Sequence, residues 1–511
     1  MRRIGIDIAL KTAHKAAVFE GGERKGKPFP VPQTRAGIDE LMRRATGGID
    51  EPCEFVMEPT GLAWLPLAAE LSRQGHRTYL PKPQKTNALR KFLAAHAKTD
   101  ANDACAAALV RHVDTANTHE LHVPSAQETT LKLYVKQRAR MVADAAKAKV
   151  RIHSWLVLAN PHLGKALGDT TSDVATAFLR RQLDPFQVLD RGMDELVRFW
   201  RAHSSGRFNA AQVEAVWTAC ETTCALYAEL RASGQLPFEY AAVQRLVCQS
   251  LEQVEFFEGQ LAEFDAQIAA LYAALDPSRL LERQVPGVGA VIAATVEAFA
   301  GDATRFSSVK RYAAFYGLVP RTKQTGGAEG KPRQRLTKGG NNLLKQYMFL
   351  AAESARRADP VLAAVYASAI ARGKHHYSAV IIVAHKLVRR IYAVLRQRAA
   401  ARAGAAEAPM YRLQQPDGTS LTKSEARTWV ATQFPPKRAK VARVKRTAGD
   451  LRQTRSVPQE GSSEDATKPS RLPPPNSLVP ESAHAEKSAD PNDKLGSIDK
   501  SEQGPFLLAA P

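Results

Sequence analysis

Four acidic residues stand where predicted strands end or where a predicted helix begins. Asp7 lies in the apolar stretch 2–10, Glu58 closes the apolar stretch 53–58, and Asp100 and Asp103 open a run of helix-forming residues. Residues three apart share one face of a helix, so Asp100 and Asp103 can point into one site. Clustered carboxylates repel one another unless cations neutralise them, and oxygen ligands suit Mg²⁺ or Mn²⁺. We therefore expect the four acids to form one catalytic metal site, in which two ions clamp the attacking and leaving oxygens of a phosphodiester.

Each acid taken singly has a simpler interpretation. Asp100 is a suitable N-cap, and an acid in the first turn of a helix is favoured by the helix dipole. Asp7 and Glu58 can be strand-end residues that face solvent. Their combination favours a site, because an unpaired acid inside a buried strand is costly and ligands bind at the carboxyl ends of strands in open α/β sheets.

The elements around the acids predict an α/β domain. Apolar patterning gives strands at residues 2–10, 14–20 and 29–32, a helix at 37–46, a strand at 54–58, a helix at 62–74, a strand at 77–80 and then further helices. This is the ribonuclease-H-like order of elements, and it brings the four acids towards one edge of the sheet.

Three segments carry a family resemblance. The sequences IGIDIAL, FVMEPTG and KTDANDA resemble the Asp-Glu-Asp-Asp motifs of the IS110 family of insertion-sequence transposases. The resemblance covers most of residues 1–400 and implies an N-terminal domain similar to the RuvC Holliday-junction resolvase. It also implies metal-dependent DNA cleavage, a covalent hydroxyl-linked intermediate, and rejoining to a new DNA partner under the guidance of a bridge RNA encoded by the element.

The charge of the chain points to a polyanionic partner. The formal net charge is +21, which is most simply explained by nucleic acid. One basic group lies beside the carboxylates in the segment 81–91, where phosphate contacts and a solvated basic face are both consistent with the pattern. The candidates for nucleic-acid contacts in this segment are Lys82, Lys85, Arg90 and Lys91.

Composition also limits the class of protein. We expect no membrane association, because apolar runs fall short of a membrane span, and the N-terminus begins with a strand pattern rather than a signal peptide. The five cysteines are scattered and odd in number, which fits a reducing cytoplasm. The family resemblance implies a bacterial protein that associates with the nucleoid.

Two long helices are predicted in the middle of the chain. Residues 125–158 read as a basic helix, and residues 251–275 place apolar side chains in alternating steps of three and four, which is typical of a coiled coil. Either two protomers pair through the helix at 251–275, or this helix packs on the helix at 125–158 of its own chain. We favour an antiparallel hairpin within the chain that also meets another protomer, in a homodimer or homotetramer.

The Pro-Gly-Val-Gly sequence at residues 286–289 predicts the turn of a helix-hairpin-helix. Gly287 and Gly289 would let the backbone approach a phosphate, and the following helix would begin with free N–H donors. An ordinary helix–helix turn is the alternative.

A second chemical region lies at residues 306–344, which resemble the C-terminal transposase domain shared with the IS116 and IS902 relatives. In that family a serine before glycine is the strand-transfer nucleophile, and the matching position here is Thr325. Threonine keeps the hydroxyl but adds a methyl group that narrows its approach to phosphorus; the alternative is a turn residue in a phosphate-binding loop. The basic residues expected to contact nucleic acid here are Arg321, Lys323, Lys331, Arg333, Arg335 and Lys338.

The predicted architecture is α/β followed by all-α. Its parts are a RuvC-like catalytic domain at 1–160, a helical and coiled-coil region at 161–280, a mainly helical transposase domain at 281–400, a partly ordered extension at 401–436, and a disordered tail at 437–511. The predicted function is that of an insertion-sequence transposase acting on donor and target DNA. The alternatives are a junction-specific endonuclease, which needs the four acids but not Thr325, and a catalytically inactive nucleic-acid-binding protein.

Overall fold

The structure is a computed structural model that describes residues 1–48, 51–94, 96–115, 118–323, 333–404 and 411–435, with the backbone alone at 322, 323 and 333–335. The N-terminal part contains a five-stranded sheet in the order β3-β2-β1-β4-β5. Its strands are β1 (Arg2–Asp7), β2 (His14–Glu20), β3 (Glu23–Val31), β4 (Glu54–Met57) and β5 (Arg77–Tyr79). Strands β1, β2 and β3 are antiparallel neighbours, whereas β4 runs parallel to both β1 and β5. Four helices accompany the sheet: α1 (Arg35–Thr46), α2 (Trp64–Arg73), α3 (Pro83–Leu93) and α4 (Asp100–Val113).

Strand β3 is much longer than the predicted strand at residues 29–32. A tight turn at Gly21 and Gly22, both at positive φ, lets Glu20 pair directly with Glu23. The first five residues of β3 are exposed because the strand lies at the edge of the sheet. Apolar patterning therefore missed this half of the strand, which carries the polar residues that suit an edge.

Helix α4 lies unusually close to the central strand β1. A Cβ atom added to Gly5 would stand 1.9 Å from the carbonyl oxygen of Ala104 and 2.5 Å from the backbone nitrogen of Ala108. Glycine on the strand and alanine on the helix remove the side chains that would otherwise separate the two backbones. This contact fixes the position of the N-terminus of α4 relative to the end of β1.

Two long helices dominate the middle of the chain, α5 (Ala126–Ala159) and α11 (Tyr240–Leu275). They run antiparallel: Arg138 pairs with Asp265, Lys149 with Glu258, and Arg151 with Gln253. Between them in sequence lie α6 (Leu163–Leu167), α7 (Asp173–Arg181), α8 (Pro185–Arg191), α9 (Met193–His203) and α10 (Ala210–Ala232). These five helices pack around a core that includes Phe178 and Trp200. The coiled-coil character of the long pair, and its contact with a second protomer, stay predictions.

The C-terminal part is mainly helical. It comprises α12 (Leu280–Gln284), α13 (Ala290–Ala300), a 3-10 turn (Ala303–Arg305), α14 (Val309–Phe315), β6 (Pro320–Lys323), β7 (Arg333–Leu336), α15 (Asn342–Ala355), α16 (Pro360–Ala371) and α17 (His376–Arg402). Its core is continuous with one end of the long helix pair, where it includes Leu131 of α5 and Ile268 of α11. The predicted boundary at residue 281 therefore crosses a continuous apolar core.

A short extension follows α17 and consists of β8 (Leu413–Gln414), β9 (Ser420–Leu421) and α18 (Lys423–Gln433). It is tied to the helical part through Tyr411, whose hydroxyl donates to Asp359 at 2.6 Å. The predicted tail at 437–511 lies outside the described residues. None of the helices in the described part of the chain is both long and apolar enough to span a membrane.

Candidate active site

Asp7 and Glu58 stand side by side at the carboxyl ends of two parallel strands. The register pairs Ile6 with Met57, so the next residue on each strand is the acid. The backbone N–H of Glu58 donates to the carbonyl oxygen of Ile6 at 3.2 Å, which continues the ladder to that point. The prediction that Glu58 closes a strand agrees with this geometry. Asp7 was predicted inside a strand at residues 2–10, whereas β1 ends at Asp7.

Asp100 and Asp103 occupy the first turn of α4. The helix is capped by Thr99, whose hydroxyl accepts a hydrogen bond from the backbone N–H of Asn102 at 3.2 Å. The simpler interpretation of Asp100 as the N-cap is therefore wrong. Because Thr99 caps the helix, neither aspartate has a capping role. The close contact at Gly5 holds their helix against β1.

The electrostatics indicate that the four acids lie close enough to influence one another. Burial raises the pKa of Asp7 to about 6, with further contributions from Asp100, Asp103 and Glu58. Burial also raises the pKa of Glu58, and the charge of Asp103 adds to the effect. Lys98 opposes both shifts in pKa. Repelling carboxylates with raised pKa values are typical of sites that await a cation or a proton.

Arg90 does not have the role predicted for it. Its guanidinium Nε lies 3.0 Å from Oδ1 of Asp103, and its Nη2 donates to Oδ1 of Asn87 at 2.7 Å. The residue is 8% exposed, so it faces α4 rather than an incoming phosphate. Sequence reasoning placed Arg90 beside the acids but missed this ion pair, because nothing in the local pattern distinguishes an inward from an outward arginine.

The donor chemistry of the site fits a hard divalent cation, since all four side chains offer carboxylate oxygens. In the arrangement seen here, however, no three His, Cys, Asp or Glu side chains of the described residues form a group that could hold an ion. Asp103 is already engaged by Arg90, and Asp100 is exposed. The metal site thus remains a prediction that rests on donor type and electrostatics.

Glu54 shows what a purely structural acid looks like on the same strand. It is 3% exposed and accepts from Arg3 at 2.7 Å and from the Tyr79 hydroxyl at 3.3 Å, with Arg111 on its other side. Burial acts to raise the pKa of Glu54, but the hydrogen bond and charge of Arg3 and the charge of Arg111 lower it overall. Glu54 is neutralised by its neighbours, whereas Glu58 is not.

The other basic candidates near the acids divide into two groups. Lys82 and Lys91 are exposed and available to phosphates. Lys85 forms an ion pair with Asp114, so part of its charge is already balanced. The expectation that Lys82 and Lys91 contact a nucleic-acid backbone stays a prediction.

The two glycines of the Pro-Gly-Val-Gly turn differ in their surroundings. Gly287 has φ of +79°, and an added Cβ would stand 2.2 Å from the carbonyl oxygen of Ala351, so its missing side chain permits packing against α15. This contact explains why residue 287 has no side chain, and the expectation that its backbone serves a phosphate stays a prediction. Gly289 meets open space among the described atoms and precedes α13. The turn lines a cavity of about 280 Å³ together with Lys423 and Arg427.

Strands β6 and β7 form a hairpin rich in cations. Its register places Arg321 opposite Arg335 and Lys323 opposite Arg333. Arg321 is exposed, as is Lys338 beyond the hairpin. Thr325 and Lys331 lie outside the described residues.

Comparison with known proteins identifies the class as transposase. A family model described as "Transposase", of the DEDD type found in IS110 elements, matches residues 4–161, and one described as "Transposase IS116/IS110/IS902 family" matches residues 279–367. The first of these matches spans the sheet and the four acids. A DEDD transposase domain implies a RuvC-like fold and generally uses divalent metal ions.

Sequence similarity to individual proteins extends beyond the two segments that the family models match. The chain is 27% identical over 400 residues to the 43.6 kDa protein of insertion element IS110 from Streptomyces coelicolor, covering 77% of this chain and 93% of that protein. It is 22% identical over 355 residues to the 44.8 kDa protein of insertion element IS116 from Streptomyces clavuligerus, covering 68% of this chain and 84% of that protein. A probable family 20 transposase of Pseudomonas aeruginosa is 32% identical to this chain over 139 residues, covering 26% of this chain and 39% of that protein. The chain belongs to the IS110 family of insertion-element transposases.

Proposed function

We propose that this transposase cuts donor and target DNA with Asp7, Glu58, Asp100 and Asp103 as the ligands of Mg²⁺ or Mn²⁺. The proposal is supported by the register that sets Asp7 beside Glu58 at the carboxyl ends of β1 and β4. It is also supported by the pKa of Asp7, which burial and the charges of Asp100, Asp103 and Glu58 raise to about 6. Bound ions would neutralise these carboxylates and the charge that develops on the phosphodiester oxygens.

The strand acids, the helix acids and the exposed lysines would have different roles at this site. Asp7 and Glu58 are fixed by the strand ladder, so they provide the rigid side of the site. Asp100 and Asp103 come from the first turn of α4, which the contact at Gly5 holds in place. Lys82 and Lys91 are exposed nearby and would bind the DNA backbone through charge alone.

Strand transfer is proposed to use Thr325, which lies in the sequence between β6 and β7. Its hydroxyl oxygen would bond to phosphorus as the bond to the leaving oxygen breaks, and the hydroxyl proton would end on that leaving oxygen. The hairpin supports this proposal because like charges at opposed strand positions destabilise a bare hairpin, and a phosphate backbone would offset that cost. The loop and the acid site, from one chain or two, would have to meet over the DNA.

A second copy of the chain is proposed to dock on α5. One face of α5 is buried against α11, while another carries exposed small and apolar residues in steps of three, four and seven. The residues of this outer seam are Ala143, Ala146, Val150 and Val157. An apolar seam of this spacing on an exposed helix favours pairing with another helix. This supports a dimer or tetramer.

Guidance by a bridge RNA is the finer part of the proposal and follows from membership of the family. The large positive charge supports a chain that carries both DNA and RNA, and such a protein would act in the cytoplasm at the nucleoid. Omission of the RNA should then abolish site-specific cutting but leave non-specific DNA binding.

The experiment incubates the full-length protein with Mg²⁺ and a supercoiled donor plasmid, with and without RNA from the flanking element. Replacement of any one of the four acids by its amide should abolish cleavage and leave nucleic-acid binding nearly intact. Wild-type cleavage by every single variant would refute the acid site.

A suicide substrate tests the covalent step. The trapped protein–DNA species should map to Thr325, should persist in Thr325→Ser and should disappear in Thr325→Ala. Linkage to another residue, such as Ser307 or Ser308, would refute the nucleophile. Cleavage without any covalent species would instead favour the junction-endonuclease alternative.

A further inference from the structure

Arg90 is held between two helices by contacts on both sides of its guanidinium. It lies in the last turn of α3, with Nε 3.0 Å from Oδ1 of Asp103 in α4 and with Nη2 donating to Asn87 at 2.7 Å. The side chains of Arg90 and Asp103 are only 9% and 13% exposed. A rigid planar group with two fixed partners restricts the carboxylate it touches far more than a flexible lysine would.

Two cations act on the acid cluster, but they act differently. The charge of Lys98 opposes the raised pKa of both Asp7 and Glu58, and the charge of Arg90 opposes that of Glu58. The side chain of Lys98 is exposed. Arg90 is buried and makes direct contact with a carboxylate. One is a mobile countercharge, and the other has a fixed geometry.

We propose that Arg90 is a positioning residue for the metal site: by holding Oδ1 of Asp103, it turns Oδ2 of the same carboxylate towards Asp7 and Glu58. The inference rests on the proposed function, since it concerns how that site is organised. A carboxylate at the start of a helix rotates freely about its last torsion unless one oxygen is held. Outer partners of this kind orient metal-binding carboxylates, and their loss typically weakens metal binding by about 10- to 100-fold.

A simple countercharge role makes the opposite prediction. If Arg90 acted through its charge alone, its removal would strengthen the attraction between the acids and a divalent cation. The sign of the change in metal affinity therefore separates positioning from neutralisation.

The test measures Mn²⁺ binding to the full-length protein by the electron paramagnetic resonance of free Mn²⁺. Arg90→Gln should weaken binding by about 10- to 100-fold. Arg90→Lys, which keeps the charge but cannot reach Asp103 and Asn87 together, should also weaken it. The matched control Lys98→Gln removes a nearby charge without touching Asp103 and should not weaken binding.

Asn87→Ala keeps the test decisive if substitution at the buried Arg90 disturbs folding. Asn87 is exposed, so its replacement should leave circular dichroism unchanged while loosening the guanidinium and weakening Mn²⁺ binding to a smaller extent. Unchanged or tighter binding by folded Arg90→Gln, or an equal loss in Lys98→Gln, would overturn the positioning role. Failure of the wild-type protein to bind Mn²⁺ would refute the metal site itself and the positioning role with it.

Discussion

Replacement of Asp7 by asparagine should stabilise the metal-free protein even as it abolishes cleavage. Burial and the neighbouring carboxylates raise the pKa of Asp7 from 3.8 to about 6. The difference is about 2 pKa units, and each unit is worth about 1.4 kcal/mol. Ionised Asp7 therefore costs the folded protein up to about 3 kcal/mol at neutral pH, and an uncharged amide of the same shape removes that cost.

The gain in stability should depend on pH in a defined direction. Below pH 3.8 the carboxyl is protonated in both the folded and the unfolded chain, so the substitution changes little. As the pH rises from 3.8 to about 6, the unfolded chain releases the proton first and the wild-type protein loses stability relative to Asp7→Asn. Above about pH 6 the difference should be constant.

The assay is guanidinium unfolding of the full-length protein in EDTA at pH 4.5 and pH 8. Because the chain has more than one hydrophobic core, a single midpoint is not sufficient. Hydrogen exchange of peptides from β1 and β4 should report the effect on the N-terminal sheet, and peptides from α11 serve as an internal reference. A loss of stability in Asp7→Asn at pH 8, or a gain that is the same at both pH values, would refute the electrostatic argument.

Glu54→Gln is the matched control, since it removes an acid from the other end of the neighbouring strand. Glu54 is buried between Arg3 and Arg111, so its loss leaves cationic partners without their countercharge. Breaking a buried pair in this way typically costs about 3–5 kcal/mol. Two acid-to-amide substitutions in adjacent strands should thus change stability in opposite directions.

Four further predictions concern the rest of the chain. Gly287→Ala should destabilise the protein by more than about 2 kcal/mol in thermal unfolding, because the added Cβ meets backbone, whereas Gly289→Ala should be nearly neutral. Affinity for non-specific DNA should fall steeply between low and physiological salt, and a flat titration would contradict binding through phosphates. Val150→Lys should lower the oligomeric mass measured by light scattering if the outer seam of α5 joins two protomers. Deletion of residues 437–511 should leave the unfolding midpoint unchanged, whereas Tyr411→Phe should cost about 1–3 kcal/mol by removing a hydrogen bond to a buried carboxylate.

The strands and acids of the N-terminal domain were predictable because two signals coincide there. Apolar patterning gives each strand, and the acid within or directly after the apolar run stands out because burying an unpaired carboxylate is costly. The point where β1 ends was not predictable, because Ile8, Ala9 and Leu10 continue the apolar run beyond Asp7. The motif spacing then adds Asp100 and Asp103, which no hydrophobic pattern would select. The edge half of β3 was missed for the complementary reason, since an exposed edge strand carries no apolar alternation.

Contacts between distant elements were not predictable from local patterns. The ion pair of Arg90 with Asp103 and the packing of Gly287 against α15 both depend on how helices approach one another. In each case the sequence suggested a nucleic-acid contact, because exposed arginines and turn glycines commonly serve that purpose. Tertiary packing uses the guanidinium of Arg90 for an ion pair, and it uses the missing side chain of Gly287 for a close contact between backbones.

The contrast between Glu54 and Glu58 shows which physical property separates a structural acid from a candidate catalytic one. Both side chains extend from the same short strand segment, and burial acts to raise the pKa of each. At Glu54 the guanidinium groups of Arg3 and Arg111 reverse that effect, so the carboxylate is stable as an anion within the fold. At Glu58 another carboxylate, Asp103, reinforces it. A fold that places acids together at a strand end with too few cations to balance them gives up stability there, and such a cost is expected where a cation is to be bound and chemistry is to follow.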